Sequence, residues 1–481
     1  MLIDRIEFNL CLLLDSALTV GTGRLSDSNG QNESSVAEIH ITSFDADKGL
    51  PCIPATTLKG ALRARWSGDP LLCGRLFGTV DRRGDGTSGT LLLYAATTVD
   101  STNAVPPIKS ALGKAVFDRP ATAIDRDSGA AADNKLFVQR AAAAGLEFGL
   151  PGILMTDLSG DPAKVSGHDA ITELAQALAP LASGIIVGKS TRLGYGRLHL
   201  KNISHLDIKR IDPDNGYCSG SEVQRQTLMQ TLSDLINSFG STRDITRERI
   251  AELVATATSP FITRDPTASR TFAPTDDGVE TRINVPYLRG PDDEPVLWPS
   301  SFLGALRSRA SWLLEVLRLR QGPQCKYLPS TRASNDPVDD RFCERPSTLG
   351  GSQRAVFHPS ELQRLSSVER LFGVPGWRGL LIVERLQCKN KGHPRARTSV
   401  AIDRLTGGAK DSALFTIDAV DGCVFEIDIS LDTSRRSREW MNVDREFLEY
   451  LVTDICDNGL MLGHGAARGY GWFSFAEKKQ G

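Results

Sequence analysis

The sequence predicts an α+β fold built twice along one chain, and three observations carry that reading. Blocks of similar sequence return in one order in the two halves, the spacings between them are similar, and strand-type and helix-type runs follow one another in the same succession in each half. One fold duplicated in tandem is the economical account. No short repeat with a period of about 20 to 50 residues runs through the chain, so it is not a solenoid.

The blocks are specific. Ile53 to Arg65, IPATTLKGALRAR, returns as Leu297 to Arg309, LWPSSFLGALRSR. Ile124 to Phe137, IDRDSGAAADNKLF, returns without a gap as Ile402 to Phe415, IDRLTGGAKDSALF. Val187 to Leu200, VGKSTRLGYGRLHL, returns as Leu462 to Phe475, LGHGAARGYGWFSF. A chain of 481 residues exceeds one ordinary core and fits two domains of roughly 200 residues each. The first is expected over 1–210 and the second over 247–481. Between them, 211–246 reads as a linker around Asp212, Pro213, Asp214, Asn215 and Gly216, with one amphipathic helix from Glu222 to Phe239.

Each element has its own signal. An alternating run opens each half, Arg5 to Val20 and about Arg249 to Ile262, as a half-buried strand requires. In the first half a Gly-, Ser- and Asn-rich loop follows, GTGRLSDSNGQNESS. Hydroxyl residues then lead into a helical pattern, Thr56 and Thr57 in one half and Ser300 and Ser301 in the other, and read as helix N-caps. An LFG triplet, Leu76 to Gly78 or Leu371 to Gly373, precedes a β-run from Gly89 or Arg378. After the IDR block come another strand, a second helix (Ala170 to Leu181 or Val443 to Ile455), the glycine loop and a closing strand. The order β-α-β-β-α-β is ferredoxin-like, with long insertions.

Composition narrows the function. Hydrophobic residues make up 40% and charged residues 24%, and no apolar run approaches the roughly 18 residues of a membrane span. The N-terminal run carries Asp4, Glu7 and Asp15 and reads as a strand, not a leader. Nine scattered cysteines suit reduced thiols, and a cytoplasmic protein without membrane partners is expected. A net charge of -2 excludes a general basic face, so any RNA contact must be a local groove.

Two blocks suit a polyanion. The helix start TTLKG offers free backbone N–H groups, with Lys59 and Arg63 four apart on one face. The plain structural reading is an amphipathic helix whose Gly60 and Ala61 pack closely on the sheet. The glycine loop, Gly188, Lys189, Ser190, Arg192, Gly194, Tyr195, Gly196 and Arg197, lets main-chain donors approach phosphate while three cations supply charge. Its alternative is a tight turn with Tyr195 in the core. It is no Walker loop, because a strand follows it and not a helix. In the IDR block an Asp and an Arg (Asp125 and Arg126, Asp403 and Arg404) flank a turn, as a structural clamp or as an RNA contact.

Taken together, IPxxxLKGALR, LFG, IDRxTGxA and GxGYGR, in order and twice, resemble the RAMP superfamily of CRISPR-associated proteins, closest to backbone-forming subunits of type III effector complexes. The resemblance spans nearly the whole chain. It implies two tandem modified ferredoxin-like (RRM-type) domains that bind CRISPR guide RNA along its backbone, beside other RAMP subunits and a polymerase-like large subunit. It assigns RNA contact to Thr57, Lys59, Arg63, Arg126 and Gly188 to Arg197 in the first half. In the second it assigns Ser301, Arg307, Arg404, Gly463, His464, Gly465, Arg468, Gly469, Tyr470 and Gly471.

Many relatives also cut paired target RNA with a loop aspartate and a divalent metal, Mg or Mn. Asp27 and Glu38 are the candidates here, each also readable as a solvated loop acid. The corresponding place in the second half falls near Asn284, with Glu280 upstream, so that half is expected to be inactive. Zinc is not expected at Cys325, Cys343, His358, Cys388 and His393, which lack paired CxxC ligands. Two other readings stand beside this one: a guide-processing endoribonuclease using a histidine such as His40 or His464, and a scaffold without cleavage.

Overall fold

A computed structural model describes residues 2–25, 38–42, 50–80, 86–108, 113–124, 131–155, 167–212, 216–240, 247–265, 272–274, 280–329, 362, 365–374, 377–433 and 438–478. The chain divides into two compact units, residues 1–191 with 195–244, and residues 192–194 with 245–481.

The first unit is a mixed α/β structure whose main sheet is antiparallel. Strand β1 (Leu2–Leu14) buries Ile6, Phe8, Leu10, Leu12 and Leu14, the alternate positions of a strand with one face in the core. It ends earlier than its apolar run suggests, turning at Asp15 to Ala17. Helices α1 (Ala55–Ala64) and α2 (Pro70–Phe77) follow. The next strand comes in two pieces, β2 (Leu91–Leu93) and β3 (Ala96–Asp100). Then come β4 (Val116–Ile124), β5 (Ala131–Ala142), β6 (Glu147–Met155), α3 (Gly167–Leu178), β7 (Arg197–Asp212) and α4 (Glu222–Gly240). In the main sheet β7 lies beside β1, β1 beside β6, and β6 beside both β2 and β3. The break between β2 and β3 has a local cause. Tyr94 donates to Pro151 O at 3.0 Å, but Pro151 has no N–H to return.

The second unit repeats this order. Its strand β8 (Arg247–Ala257) is followed by α5 (Pro299–Gln321), α6 (Ser367–Phe372), β9 (Leu381–Asn390), β10 (His393–Ile402), β11 (Ala409–Asp421), β12 (Val424–Asp432), α7 (Arg438–Asn458) and β13 (Trp472–Glu477). The sheet runs β9, β12, β8, β13, again antiparallel. Phe302, Leu306, Phe425, Phe447 and Phe473 fill the core beneath it.

Both LFG triplets end a helix in a glycine with positive φ, 88° at Gly78 and 86° at Gly373. A partner glycine, Gly89 or Gly379, closes onto the same turn, and a Cβ on it would stand 2.2 Å from Leu76 O or 2.5 Å from Leu371 O. Close backbone approach therefore requires both glycines.

Two features differ from the sequence reading. The second IDR block lies at the tip of the two-stranded hairpin β10–β11, and in the first unit β4 and β5 pair with each other within a separate four-stranded sheet, strands which that reading did not anticipate. The described residues of the stretch expected as a linker carry regular structure: β7 continues to Asp212, Gly216–Cys218 pairs with it, and α4, the helix expected there, packs on α3 and β7 within the first unit. Among the described residues no helix is long and apolar enough to cross a membrane.

Candidate nucleic-acid interface

The helix starts are set by proline. The N-cap of α1 is Pro54, and α5 carries Pro299 at its first position after Trp298; neither helix has a side-chain cap. Thr56, Thr57, Ser300 and Ser301 therefore sit in the first turn, not at the cap expected of them. Proline lacks an N–H and fixes φ near the helical value, so it takes the boundary itself. Thr57 N and Leu58 N both donate to Pro54 O, at 3.0 and 3.3 Å, and Ser301 N and Phe302 N donate to Trp298 O at 2.9 and 3.1 Å.

Leu58 and Leu62 face the core, as do Phe302 and Leu306. The opposite face of α1 presents Gly60 and Arg63 to solvent, and that of α5 presents Ser301 and Gly304. Gly60 does not pack on the sheet as expected: nothing lies within 4 Å of a Cβ built there, and the same holds at Gly304. Lys59 turns inward, and its Nζ donates to Leu91 O at 2.9 Å. Burial, then the charge of Arg63, lowers its pKa. Arg63 is thus the exposed cation of this turn, while the second unit has the buried Leu303 in place of Lys59.

The glycine loops share one backbone. Val187 N donates to Gly196 O at 2.9 Å, and Leu462 N to Gly471 O at 2.7 Å. A 3-10 turn fills the middle of each, Thr191–Leu193 and Ala466–Arg468. Gly196 and Gly471 have φ of 81° and 82°, and a Cβ on either would stand 1.9 Å from the carbonyl oxygen of Val187 or Leu462. Gly188, Gly463, Gly194 and Gly469 are also left-handed. Ser190 holds φ 60° where the second copy has Gly465 at 88°.

The loop side chains separate into two groups. Lys189, Arg197, His464 and Arg468 are exposed. Tyr195, expected among the contacts, is a core residue: its ring is buried, Arg119 lies over it at 5.7 Å, and burial raises its pKa. Arg192 is likewise engaged, its guanidinium donating to backbone carbonyls while burial lowers its pKa to about 10. Partial burial, then the charges of Arg264 and Arg468, lower the pKa of His464.

Helix and loop are neighbours in both units. Helix α1 packs against Ile185–Ile186, the short strand leading into the first loop, and α5 packs against Leu460–Met461, its counterpart before the second.

In the second hairpin Asp403 makes no clamp with the arginine beside it. Its Oδ1 accepts from Leu405 N and Thr406 N, both at 2.9 Å, and these bonds lower its pKa. The turn so formed leaves Arg404 and Leu405 exposed. Arg126 and Asp27 lie outside the described residues. Glu38 and His40 lie on a strand (Glu38–Thr42) parallel to β5, and nothing is described of their side chains. Asn284, at the second unit's equivalent of the acid, accepts through Oδ1 from Thr416 N at 2.9 Å. The side chain of Glu280, and Cys343 and His358, lie outside the described residues. Among the described residues no three His, Cys, Asp or Glu side chains are grouped to hold a metal.

A family profile described as the RAMP superfamily matches residues 12–199 and 254–474. No curated protein matches the chain. Among solved structures, a chain of the cryo-EM structure of the Type III-B Cmr-beta bound to cognate target RNA is similar at 14% identity and TM-score 0.30, over 42% of this chain. The match spans 60% of that neighbour's own length, less than two thirds of it.

Proposed function

The chain belongs to the RAMP superfamily in both of its halves, and we propose that it is a subunit of a type III CRISPR effector complex that holds guide RNA by its ribose-phosphate chain. The observation that carries this reading is the glycine loop, which has one backbone geometry in two copies and exposed cations in each. Left-handed glycines let main-chain donors come close to a polyanion without side-chain obstruction. In the first unit the helix beside the loop adds the exposed Arg63.

Each unit is read as a modified ferredoxin-like (RRM-type) domain. Supporting this, the last strand lies beside the first, the first beside the third, and the third beside the second, in both sheets. Partners in this reading are guide RNA, target RNA paired to it, other RAMP subunits and a polymerase-like large subunit. Cleavage of the paired target from the first domain, through Asp27 or Glu38 with magnesium or manganese, is the finer alternative to a binding role alone, and the metal dependence of target cutting decides between them.

Fluorescence anisotropy of the full chain with labelled single-stranded RNA tests the proposal. Binding should tolerate changes of sequence and weaken with salt, at a log–log slope of about -0.7 per phosphate contact. Salt-independent or absent binding would reject it. Specific cutting of repeat RNA by the isolated protein would favour the processing enzyme, and cutting of a paired target only on adding magnesium or manganese would add cleavage.

A further inference from the structure

The two glycine loops are tied to the segment after the first strand by matching main-chain bonds. Gly196 N donates to Ala17 O and Lys189 N to Thr19 O, both at 2.7 Å; Gly471 N donates to Pro260 O at 2.8 Å and His464 N to Ile262 O at 2.7 Å. Arg197 N and Trp472 N donate to Ser16 Oγ and Ser259 Oγ, at 3.0 and 2.8 Å. This register equates Thr19 with Ile262, and therefore Gly21 with Arg264.

At that position the units carry charge by different means. In the first, a Cβ on Gly21 would stand 2.6 Å from Lys189 Nζ and 2.7 Å from its Cε, so the lysine chain lies across the bare glycine. In the second, the loop residue is the shorter His464, and the glycine is replaced by the exposed Arg264. Arg468, from the same loop, lies over Phe415 at 5.1 Å. The main-chain bond of His464 to Ile262 sets it beside the segment that carries Arg264, and burial first, then the charges of Arg264 and Arg468, hold its pKa down. Among the described residues neither arginine, nor Lys189, has a carboxylate partner. Two guanidiniums gathered about one imidazole without a counter-ion repel each other, and positive charge persists at one spot although the residues supplying it have exchanged. A bound anion accounts for both facts.

We propose that Arg264 is a phosphate-binding residue of the second unit, acting with His464 and Arg468 on an RNA phosphodiester at the place that Lys189 serves by crossing Gly21 in the first. The inference rests on the RNA-binding reading and adds a residue that no sequence similarity marks.

Exchange variants of the full chain test it, with thermal melts to establish that each is folded and Arg264→Gln as a second, more conservative change. In single-stranded RNA titrations at several salt concentrations, Arg264→Gly and Arg264→Gln should each weaken binding roughly three- to tenfold and flatten the salt slope by about one contact. The pair Arg264→Gly with His464→Lys rebuilds the first unit's arrangement and should restore affinity to within about twofold of the parent, with its salt slope. If both single variants bind like the parent while Lys189→Ala binds more weakly, Arg264 is only a solvated arginine and the inference falls with the RNA reading intact. If the parent itself shows no salt-dependent binding, the RNA reading falls.

Discussion

The two copies keep one strand order and one loop backbone and have let their side chains diverge, and the arginine before each LFG shows how far. Arg75 in the first unit pairs with Glu173 of α3, and both are partly exposed. Arg370 and Asp444 of α7 are fully buried at 2.8 Å, with Ser367 Oγ and the carbonyls of Leu362 and Leu365 taking further guanidinium donors and Trp440 stacked at 4.2 Å. The same pairing of motif arginine with second-helix carboxylate is a surface contact in one unit and part of the core in the other. The loops diverge differently: their main-chain bonds and left-handed glycines coincide, while Lys189 has become His464 and Leu193 has become Arg468. Selection on a surface that reads a repeating phosphate chain would preserve backbone geometry and net local charge, and would leave the identity of each cation free.

The largest expected contrast is in stability. Arg370→Ala strands a buried carboxylate and should cost the second unit about 3–5 kcal/mol, whereas Arg75→Ala should cost the first under about 1 kcal/mol; urea unfolding of the two variants measures both. Equal costs would break the comparison. Next come the loop glycines. Gly196→Ala and Gly471→Ala meet both a left-handed φ and a carbonyl oxygen at 1.9 Å, so each should lose roughly 3 kcal/mol. Gly469→Ala has open space and should lose only about 1 kcal/mol.

A smaller effect carries opposite signs in two assays. Gly60 and Gly304 face solvent inside helices with nothing near them. Alanine at either should stabilise the chain by up to about 1 kcal/mol, yet weaken RNA binding if a phosphate chain runs close to the helix backbone. Equal affinity would remove the helix start from the interface. The smallest effect is on pH. Because the pKa of His464 is lowered in the folded chain, the imidazole is neutral there at pH values where the unfolded chain holds a proton. Its contribution to stability is present above the ordinary histidine range and is lost as pH falls through it. Phosphate beside it favours the imidazolium. RNA affinity should therefore rise roughly two- to threefold between about pH 7 and about pH 5.5, and His464→Ala should flatten that rise.

Much of this was legible in the residues. Alternation gave the first strand of each unit, and the periodic runs gave the second helices, because one-sided burial imposes those periods. The loops were legible because left-handed backbone selects glycine at fixed spacing. What escaped was non-local. The bond of Lys59 Nζ to Leu91 O spans 32 residues, and Arg119, which lies over the buried ring of Tyr195, comes from strand β4, far off in sequence. Arg264 could not be found by matching blocks, since the segments 15–21 and 258–264 share little beyond a serine at 16 and 259. Only hydrogen-bond register brings them into correspondence. The hairpins did leave a signal, a β-branched run up to Ile402 followed by Asp403, Thr406 and Gly407, the usual chemistry of a turn.

The most direct test of the central claim, that both copies turn their helix start and glycine loop to one RNA chain, is photocrosslinking of the full chain to 4-thiouridine RNA with the sites read by mass spectrometry. Crosslinked peptides should contain Gly188–Arg197 and Gly463–Gly471, together with the starts of α1 and α5. Crosslinks confined to one unit, or lying on strands β6 and β12 away from the loops, would contradict it.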